Sequence, residues 1–263
     1  QPPGDTAQLI GSQLEDARLL GQRTAELHLA LMSWPDEPGF EPDPFTPYYQ
    51  RSLFQSMRNL TEAVFTRLDA NRGTLRGEAR QMAESLLTDR ERMLHGVRSR
   101  LADPIAAART RLHGHYHLGQ VLWTGRDFVI LDFEGNPAVP LSARRIKRSP
   151  LYDVAGMVLS LHSAAHVGLL ARTEGDEALA RRLRPWAHEW FLWNASTFVG
   201  SWLRTAGAAI FLPEERHARD ALLTVHLLEK AVHELGHELL HRPDWAWLPM
   251  LGLRYLLDAG APA

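Results

Sequence analysis

Histidine, amide and carboxylate side chains are concentrated between His113 and Gly135, in the sequence HGHYHLGQVLWTGRDFVILDFEG. The stretch opens with a polar segment of alternating histidines and closes with Asp132 and Glu134. Phosphoryl transfer depends mainly on positioning and charge neutralisation, with a residue at the acceptor hydroxyl and oxygen ligands for Mg²⁺. Because the stretch supplies these types of side chain, its layout indicates a phosphotransfer site.

Two short apolar runs, VLW and FVIL, separate the two polar ends of this stretch. The turn between them contains Thr124, Gly125 and Arg126, and a glycine-containing turn between β-prone runs is typical of a β-hairpin. The sequence therefore predicts a small hairpin at about 120–131. Such a hairpin would bring its polar ends close together in space.

The composition limits the classes of protein to which the chain can belong. It has 263 residues, 45% hydrophobic content, no cysteine and a formal net charge of -2. These values predict a soluble globular protein without disulfides or thiolate metal sites, and they argue against a nucleic-acid or membrane partner. The N-terminal sequence QPPGDTAQ lacks the features of a signal peptide, so we expect a cytoplasmic protein with a small ligand.

Helical periodicity dominates on both sides of the predicted hairpin. Apolar residues recur about every 3.6 positions, and a proline-rich extended loop follows Trp34. The predicted helices cover about 5–32, 53–71, 76–101, 150–171, 176–206, 213–241 and 243–260. The expected fold is mainly α (α+β), a single domain 1–263 with subregions 1–110, 111–150 and 151–263.

The segment LHGHYHLGQVLWTGRDFVILDFEGNPAVPLSARRIKRSPLY, at 112–152, resembles the catalytic lobe of bacterial maltokinases, including those fused to trehalose synthase. Further similar segments are GQRTAELHLAL, FTPYYQRSLFQSMRNL, RSPLYDVAGM and LEKAVHELGHELLHRPDW. This family belongs to the aminoglycoside-phosphotransferase-like branch of the protein-kinase fold. The resemblance implies the C-terminal helical lobe of that fold, phosphorylating maltose to maltose 1-phosphate with ATP and Mg²⁺.

The resemblance also assigns roles to individual residues. It implies that Gln120 and Asp132 bind the metal and the nucleotide, with Asp132 also catalytic, and that Glu134 helps to hold the same ion. His113 would be a structural residue of the loop. Contacts with a maltose-like substrate are expected at His117, Arg145 and Lys147.

One position departs from the family pattern. The chain has His115 where the family places its catalytic aspartate. Imidazole is neutral or cationic near pH 7, so the change predicts weak or lost activity that His115→Asp would restore.

No strand-rich segment precedes Asp5, so the N-terminal β-lobe of a complete kinase is absent from this sequence. We therefore expect a fragment with poor nucleotide affinity, whose natural partners are an N-terminal kinase lobe and possibly trehalose synthase. The alternative is a degenerate, non-catalytic kinase-like domain that supports a trehalose synthase.

Two metal hypotheses compete with the kinase interpretation. His113, His115 and His117 could bind zinc, although no cysteine or nearby acid completes a tetrahedral set. The sequence from His233 to His237 matches the HExxH pattern of zinc proteases, but it lies in an ordinary packing stripe and no third ligand follows at a protease-like spacing.

Two surface features leave alternatives open. The basic run from Arg144 to Arg148 predicts either a solvated loop or a phosphate-facing one. Trp186, Trp190 and Trp193 offer flat apolar faces on which sugars could stack, whereas half-buried core positions are the commoner use of tryptophan.

Overall fold

A computed structural model describes residues 11–34, 36–136 and 139–259, and most of them are helical. The main helices are α1 (Gln13–Met32), α2 (Pro47–Asn71), α3 (Gly77–Arg100), α4 (Leu141–Arg144), α5 (Leu151–Thr173), α6 (Glu177–Ala206), α7 (Arg216–His241) and α8 (Trp247–Ala259). Short 3₁₀ helices lie at Leu118–Gln120 and Pro243–Trp245. The mainly α class predicted from the sequence is confirmed.

Two small sheets of two strands each complete the secondary structure. Strand β1 (Asp43–Pro44) pairs with β2 (Ala108–Arg109), and β3 (Val121–Trp123) pairs with β4 (Phe128–Ile130). In the second sheet Val121 lies opposite Ile130 in an antiparallel register, so the predicted hairpin is confirmed. The first sheet was not predicted, because strands of two residues carry no readable alternation.

Helix boundaries agree with local capping chemistry. Thr46 Oγ1 accepts the N–H of Tyr49 at 3.2 Å at the start of α2, and Pro47 occupies the first turn, where a missing N–H costs nothing. Asp176 Oδ1 accepts the N–H groups of Ala178 and Leu179 at the start of α6. The predicted extensions to residues 5–10 and to residue 260 lie outside the described residues.

Contacts divide the chain into two compact units. The first contains the residues up to Asp43 together with 108–212. Its core includes Trp202, Phe198 and Met157, and α1 packs closely on α6 at Gly21. A Cβ at Gly21 would lie 2.3 Å from the carbonyl oxygen of Phe198, so glycine permits the close approach of these two helices.

The second unit contains 44–107 and the chain from Pro213 onward. Its helices α2, α3, α7 and α8 pack around buried apolar residues such as Met57, Leu86 and Leu222. Each unit is built from separate stretches of the chain, whereas the sequence predicted one domain with consecutive subregions.

Helix α5 is the one described helix that is long and apolar enough to cross a membrane by length and composition. Its most apolar window is 56% buried inside the protein, as in the core helix of a soluble protein.

Candidate active site

The loop that opens the candidate site is fixed by Asp153, a fully buried residue in the first turn of α5. Its Oδ2 accepts the N–H of His113 at 2.8 Å, and its Oδ1 accepts the N–H of Gly114 at 2.9 Å. Gly114 has a φ of 80°, which glycine adopts without strain. These two bonds make Asp153 the anchor of the loop.

Asp153 is itself held by buried side chains of α1 and α6. Trp202 Nε1 donates to His28 Nδ1 at 3.0 Å, and His28 Nε2 lies 3.3 Å from Asp153 Oδ2. Because an indole N–H can only donate, Nδ1 of His28 is the acceptor and its Nε2 carries the proton toward Asp153. Sequence reasoning missed His28, whose only signal was a histidine on the buried face of α1.

His113 joins the loop to the far end of the hairpin. It is 2% exposed, its Nε2 lies 2.7 Å from the carbonyl oxygen of Leu131, and its Nδ1 accepts the N–H of His115 at 3.3 Å. Both ring nitrogens are therefore used within the protein. In the described part of the chain no group of three or more histidine, aspartate or glutamate residues is arranged to hold a metal, which disfavours the zinc hypothesis.

His115 and His117 contact each other through their rings. Their Nε2 atoms lie 3.3 Å apart and their ring centroids 4.7 Å apart. His117 Nδ1 accepts the N–H of Gly119 at 3.1 Å, so a neutral His117 carries its proton on Nε2, where His115 Nε2 at 3.3 Å can accept it. Gln120 Nε2 lies farther from the same nitrogen, at 3.5 Å. The lone pair on His115 Nε2, which a general base would use, is thus engaged by His117.

Gln120 and Asp132 lie at the same end of the hairpin. The carbonyl oxygen of Gln120 accepts the N–H of Leu131 at 2.9 Å, one residue before Asp132. Asp132 is exposed and has a φ of 58°, a left-handed conformation that is uncommon outside glycine and typical of turns and functional sites. The structure therefore brings these two candidate residues to one edge.

The donor set at this edge fits Mg²⁺. Within the described residues, the buried Oε1 of Gln120 has no hydrogen-bond partner, and Asp132 and Glu134 expose carboxylates beyond the hairpin. Mg²⁺ prefers oxygen ligands and is usually bound by one or two carboxylates together with substrate phosphates. An amide oxygen and two carboxylates can supply the protein's share of such a shell.

The basic run following this edge is largely engaged in structure. Arg144 Nε donates to the carbonyl oxygen of Val139 at 2.7 Å, and its Nη1 donates to that of Glu134 at 3.1 Å. Arg144 therefore fixes the backbone on both sides of the undescribed residues 137–138, a role that the sequence did not indicate. Arg145, by contrast, is exposed.

Lys147, predicted to contact substrate, lies in an ion-pair cluster. Its Nζ lies 3.0 Å from Glu41 Oε1 and 3.4 Å from Asp43 Oδ1, and its side chain is 10% exposed. Hydrogen bonding to Lys147 lowers the pKa of Glu41. A substrate contact by Lys147 would therefore compete with these two carboxylates.

The tip of the hairpin is attached to α1 by Arg23. Its Nε and Nη2 donate to the two carboxylate oxygens of Asp127 at 2.8 and 3.0 Å, and its Nη1 donates to Glu26 at 2.6 Å. These hydrogen bonds raise the pKa of Arg23, and the bond from Arg23 lowers that of Asp127. The contact joins residues 104 positions apart, which no local pattern could predict.

The HExxH histidines, His233 and His237, are exposed on α7, and the ring of His237 lies 4.6 Å from that of His241. Burial raises the pKa of Glu234 to about 7. Both histidines lie on the exposed side of the helix, and no group of three potential ligands occurs among the described residues.

The tryptophans of α6 differ in their surroundings. Trp186 is 55% exposed, and Trp190 Nε1 donates to Gln13 Oε1. Trp193 lines a groove of about 350 Å³ together with Arg18 and Arg204. Sugar stacking by these rings stays a prediction.

No protein-family model matches the chain. A glucosamine kinase of Mycolicibacterium smegmatis is 34% identical over 154 residues, which are 56% of this chain and 34% of that protein. A glucosamine kinase of Streptacidiphilus jiangxiensis is 28% identical over 146 residues, which are 31% of its length. The matched region thus spans about a third of the length of these curated relatives.

Solved structures extend the likeness over almost the whole chain. A glucosamine kinase in complex with glucosamine, ADP and inorganic phosphate superposes with a TM-score of 0.72 at 25% identity, covering 93% of this chain and 52% of that one. A second crystal form of a glucosamine kinase gives a TM-score of 0.73 over 94% of this chain.

These relatives correct the family assignment made from the sequence. The matches are glucosamine kinases, so the assignment to maltokinases in the aminoglycoside-phosphotransferase-like branch is wrong. The predicted phosphorylation of maltose is not supported, and neither is the alternative of a degenerate domain that supports a trehalose synthase. The predicted maltose-like substrate is wrong for the same reason, as are the predicted partners, an N-terminal kinase lobe and trehalose synthase. The sequence could not make this distinction, because the motifs that carried the resemblance were assigned to metal and nucleotide binding, and no pattern in the sequence indicated which sugar is bound.

Proposed function

We propose that the chain is the helical part of an ATP-dependent sugar kinase that phosphorylates glucosamine or a closely related amino sugar. The observation that carries the proposal is the likeness, over 93% of the chain, to a glucosamine kinase in complex with glucosamine, ADP and inorganic phosphate. The two curated glucosamine kinases support the same reaction class from sequence. ATP as the phosphoryl donor is supported by the ADP in that complex.

Gln120, Asp132 and Glu134 would hold Mg²⁺ against the phosphates of the nucleotide. When bound, the ion neutralises charge on the phosphates, which is most of what phosphoryl transfer requires. The unpartnered Oε1 of Gln120 and the position of Asp132 beside the same hairpin end support these assignments. Asp132 is the residue on which the proposed activity depends most.

His115 would lie at the acceptor hydroxyl and orient it. Its Nε2 already accepts a hydrogen bond from His117, so it is a weak base unless the two rings separate. Positioning contributes more than base strength to this reaction, and a slow rate is therefore consistent with His115. His117, Arg145 and Lys147 remain candidates for sugar contacts, and a cytoplasmic location is part of the proposal.

The proposal is tested by an ADP-release assay with glucosamine, ATP and Mg²⁺. The chain spans about half the length of the solved relatives, so both the natural protein that contains it and the 263-residue chain should be assayed. We expect glucosamine-dependent ADP release by the natural protein, and a loss of roughly 10²-fold or more in Asp132→Asn. The control Asp103→Asn changes an exposed loop carboxylate of the other unit and should leave the rate unchanged.

Three results would count against the proposal. These are the absence of glucosamine-dependent turnover, turnover that survives Asp132→Asn, and an equal loss in the Asp103 control. Mass measurement of the product would verify that a phosphoryl group has been added to the sugar.

A further inference from the structure

Three arginine side chains line one groove in the second unit. Arg51 and Arg58 come from α2 and Arg98 from the end of α3, and the groove has a volume of about 630 Å³. Phe54 and Gln55 lie between the two arginines of α2 and line the same groove. This volume lies within the usual range of roughly 300–1,000 Å³ for small-molecule sites.

The positive charges in the groove are not neutralised by the protein. Within the described residues, no carboxylate lies within ion-pair distance of Arg51, Arg58 or Arg98. Other arginines of α3 are paired, such as Arg80 with Glu84 at 3.0 Å and Arg90 with Glu62 at 3.1 Å. Three like charges around one concave surface attract an anion that relieves their mutual repulsion.

One of the three guanidinium groups is positioned by a neutral partner. With its amide oxygen turned toward Arg58, Gln55 accepts from Nη2 at 2.9 Å and from Nε at 3.3 Å, in place of the bond that its amide nitrogen otherwise donates to Asn59 Oδ1 at 2.9 Å. This contact restricts the rotamer of Arg58 without removing its charge. A positioned guanidinium loses less side-chain entropy when it binds a ligand.

The floor of the groove is held in place by Gln50, which is 3% exposed. Its Nε2 donates to the carbonyl oxygens of Leu101 and Asp103 at 3.2 and 2.8 Å, and its Oε1 accepts the N–H of Ile105 at 3.1 Å. These bonds tie the turn after α3 to the first turns of α2. The groove is therefore preformed.

We propose that this groove binds a small phosphorylated metabolite. Guanidinium groups match phosphate oxygens in charge and in their forked geometry, and three of them suit a dianionic group. Phe54 supplies an apolar wall for the organic part of the ligand, and the volume exceeds what a single phosphate fills. The site is built only from residues of the second unit and goes beyond the proposed function, because none of the candidate catalytic residues belongs to it.

Titration calorimetry on the 263-residue chain at constant ionic strength tests the proposal. The probes are inorganic phosphate, pyrophosphate and a hexose 6-phosphate, with citrate as a non-phosphate anion. We expect the hexose 6-phosphate or pyrophosphate to bind more tightly than citrate, and each of Arg51→Gln, Arg58→Gln and Arg98→Gln to weaken binding about tenfold. The matched control Arg80→Gln removes one arginine of α3 outside the groove and should leave binding unchanged.

Hydrogen exchange provides a second measurement that does not depend on the variants. Bound pyrophosphate should slow amide exchange at 47–58 and 96–104. The proposal is overturned if no phosphorylated probe binds with a dissociation constant below about 10 mM, which corresponds to a binding free energy of roughly 3 kcal/mol. Weaker binding would mean only a diffuse attraction of anions to a positively charged surface. Equal weakening by Arg80→Gln, unchanged binding in all three groove variants, or binding of anionic vesicles without binding of the small phosphates would also overturn it.

Discussion

Asp153 Oδ2 accepts the backbone N–H of His113 at 2.8 Å, so a side chain in the first turn of α5 fixes where the histidine-rich loop of the candidate site begins. The carboxylate is fully buried and also accepts the N–H of Gly114. Behind it, His28 and Trp202 complete the chain of hydrogen bonds. The position of the loop is thus set by residues that carry out no chemistry themselves.

Replacing Asp153 by asparagine should destabilise the protein by roughly 2–4 kcal/mol, because the amide NH₂ group would face a backbone donor in a buried position. Urea unfolding followed by circular dichroism measures this change. Asp220→Asn on α7, where the carboxylate is 68% exposed, is the matched control and should change stability by less than about 0.5 kcal/mol. A loss below 1 kcal/mol for Asp153→Asn would contradict the buried-anchor interpretation, since one such bond alone contributes about that much.

The close packing of α1 on α6 gives a second prediction. Gly21→Ala would place a Cβ 2.3 Å from the carbonyl oxygen of Phe198, so the helices must separate, at a cost of roughly 2–4 kcal/mol. Gly168→Ala on α5 is the control, because nothing lies within 4 Å of its added Cβ. That control should raise stability by about 0.5–1 kcal/mol through helix propensity. Thermal unfolding of both variants separates the effect of helix packing from that of helix propensity. Equal changes in melting temperature for the two variants would refute the close contact at Gly21.

Acid should destabilise the protein through His162. This residue is 3% exposed, and its ring centroid lies 4.4 Å from that of His166 and 5.2 Å from that of Phe191. Burial, with lesser contributions from His166 and His188, lowers the pKa of His162 from 6.5 to about 3. Burial lowers the pKa of His166 as well, and the charge on nearby Arg184 acts in the same direction.

Because the folded pKa of His162 lies below the unfolded value, its contribution is fully present above pH 6.5 and is lost as pH falls toward 3. Between pH 7 and pH 5 the loss should be roughly 1–2 kcal/mol. Because Glu234 contributes in the opposite direction over the same range, the His162 contribution is the pH-dependent change in the parent protein minus that in His162→Gln, each measured by denaturant unfolding at the two pH values. The exposed His217→Gln serves as control and should not change it.

Glu234 should give protein stability the opposite dependence on pH. Burial raises its pKa from 4.5 to about 7, with Lys230 opposing the shift and Glu238 adding to it. The folded state therefore holds a proton that the unfolded state has released, and stability is lost as pH rises from 4.5 through 7. Between pH 5 and pH 8 the loss should be roughly 1–3 kcal/mol.

Glu234→Gln should remove this loss, and unfolding at the two pH values measures it. Glu214→Gln, a change at an exposed carboxylate, should leave the pH dependence as in the parent protein. If His233 and His237 instead bound zinc, zinc would stabilise the parent protein and the Glu234→Gln variant alike, because the glutamate of that motif is a base and not a ligand.

The elements that could be predicted from the sequence are those that depend on the pattern of neighbouring residues. The 3.6-residue periodicity gave α2, α3 and α6 to within a few residues, apart from the first turns of α2, and the Thr124–Arg126 turn gave the hairpin. These features follow from neighbouring residues alone. The helix from Leu141 to Arg144 was missed because four residues carry no readable period.

What the sequence could not give are the contacts between distant residues. Arg23 with Asp127 and His28 with Asp153 are 104 and 125 positions apart, and their pairing depends on how the helices pack. The division into two units has the same origin, since each unit combines separate stretches of the chain. The prediction of maltose as the substrate was wrong for a related reason, because the residues that would contact a sugar are not grouped in one recognisable stretch of the sequence.

The last prediction concerns His115. In the natural protein, His115→Asp should raise the rate of glucosamine phosphorylation by roughly 10²-fold or more, because a carboxylate accepts the hydroxyl proton without first breaking the bond between His115 and His117. The pH profile supplies a second readout: the parent rate should fall in acid, where a protonated imidazole can no longer accept the hydroxyl proton, and the variant should not follow that fall.

His217→Asp, the same change at an exposed histidine of another helix, is the matched control and should leave kcat and the pH profile unchanged. A rate that is unaffected by His115→Asp, with the variant folded by circular dichroism, would mean that this position does not contact the acceptor hydroxyl. A fall in kcat with an unchanged KM would mean that the imidazole itself is the acid–base group of this enzyme, and that the contact between His115 and His117 is part of its chemistry.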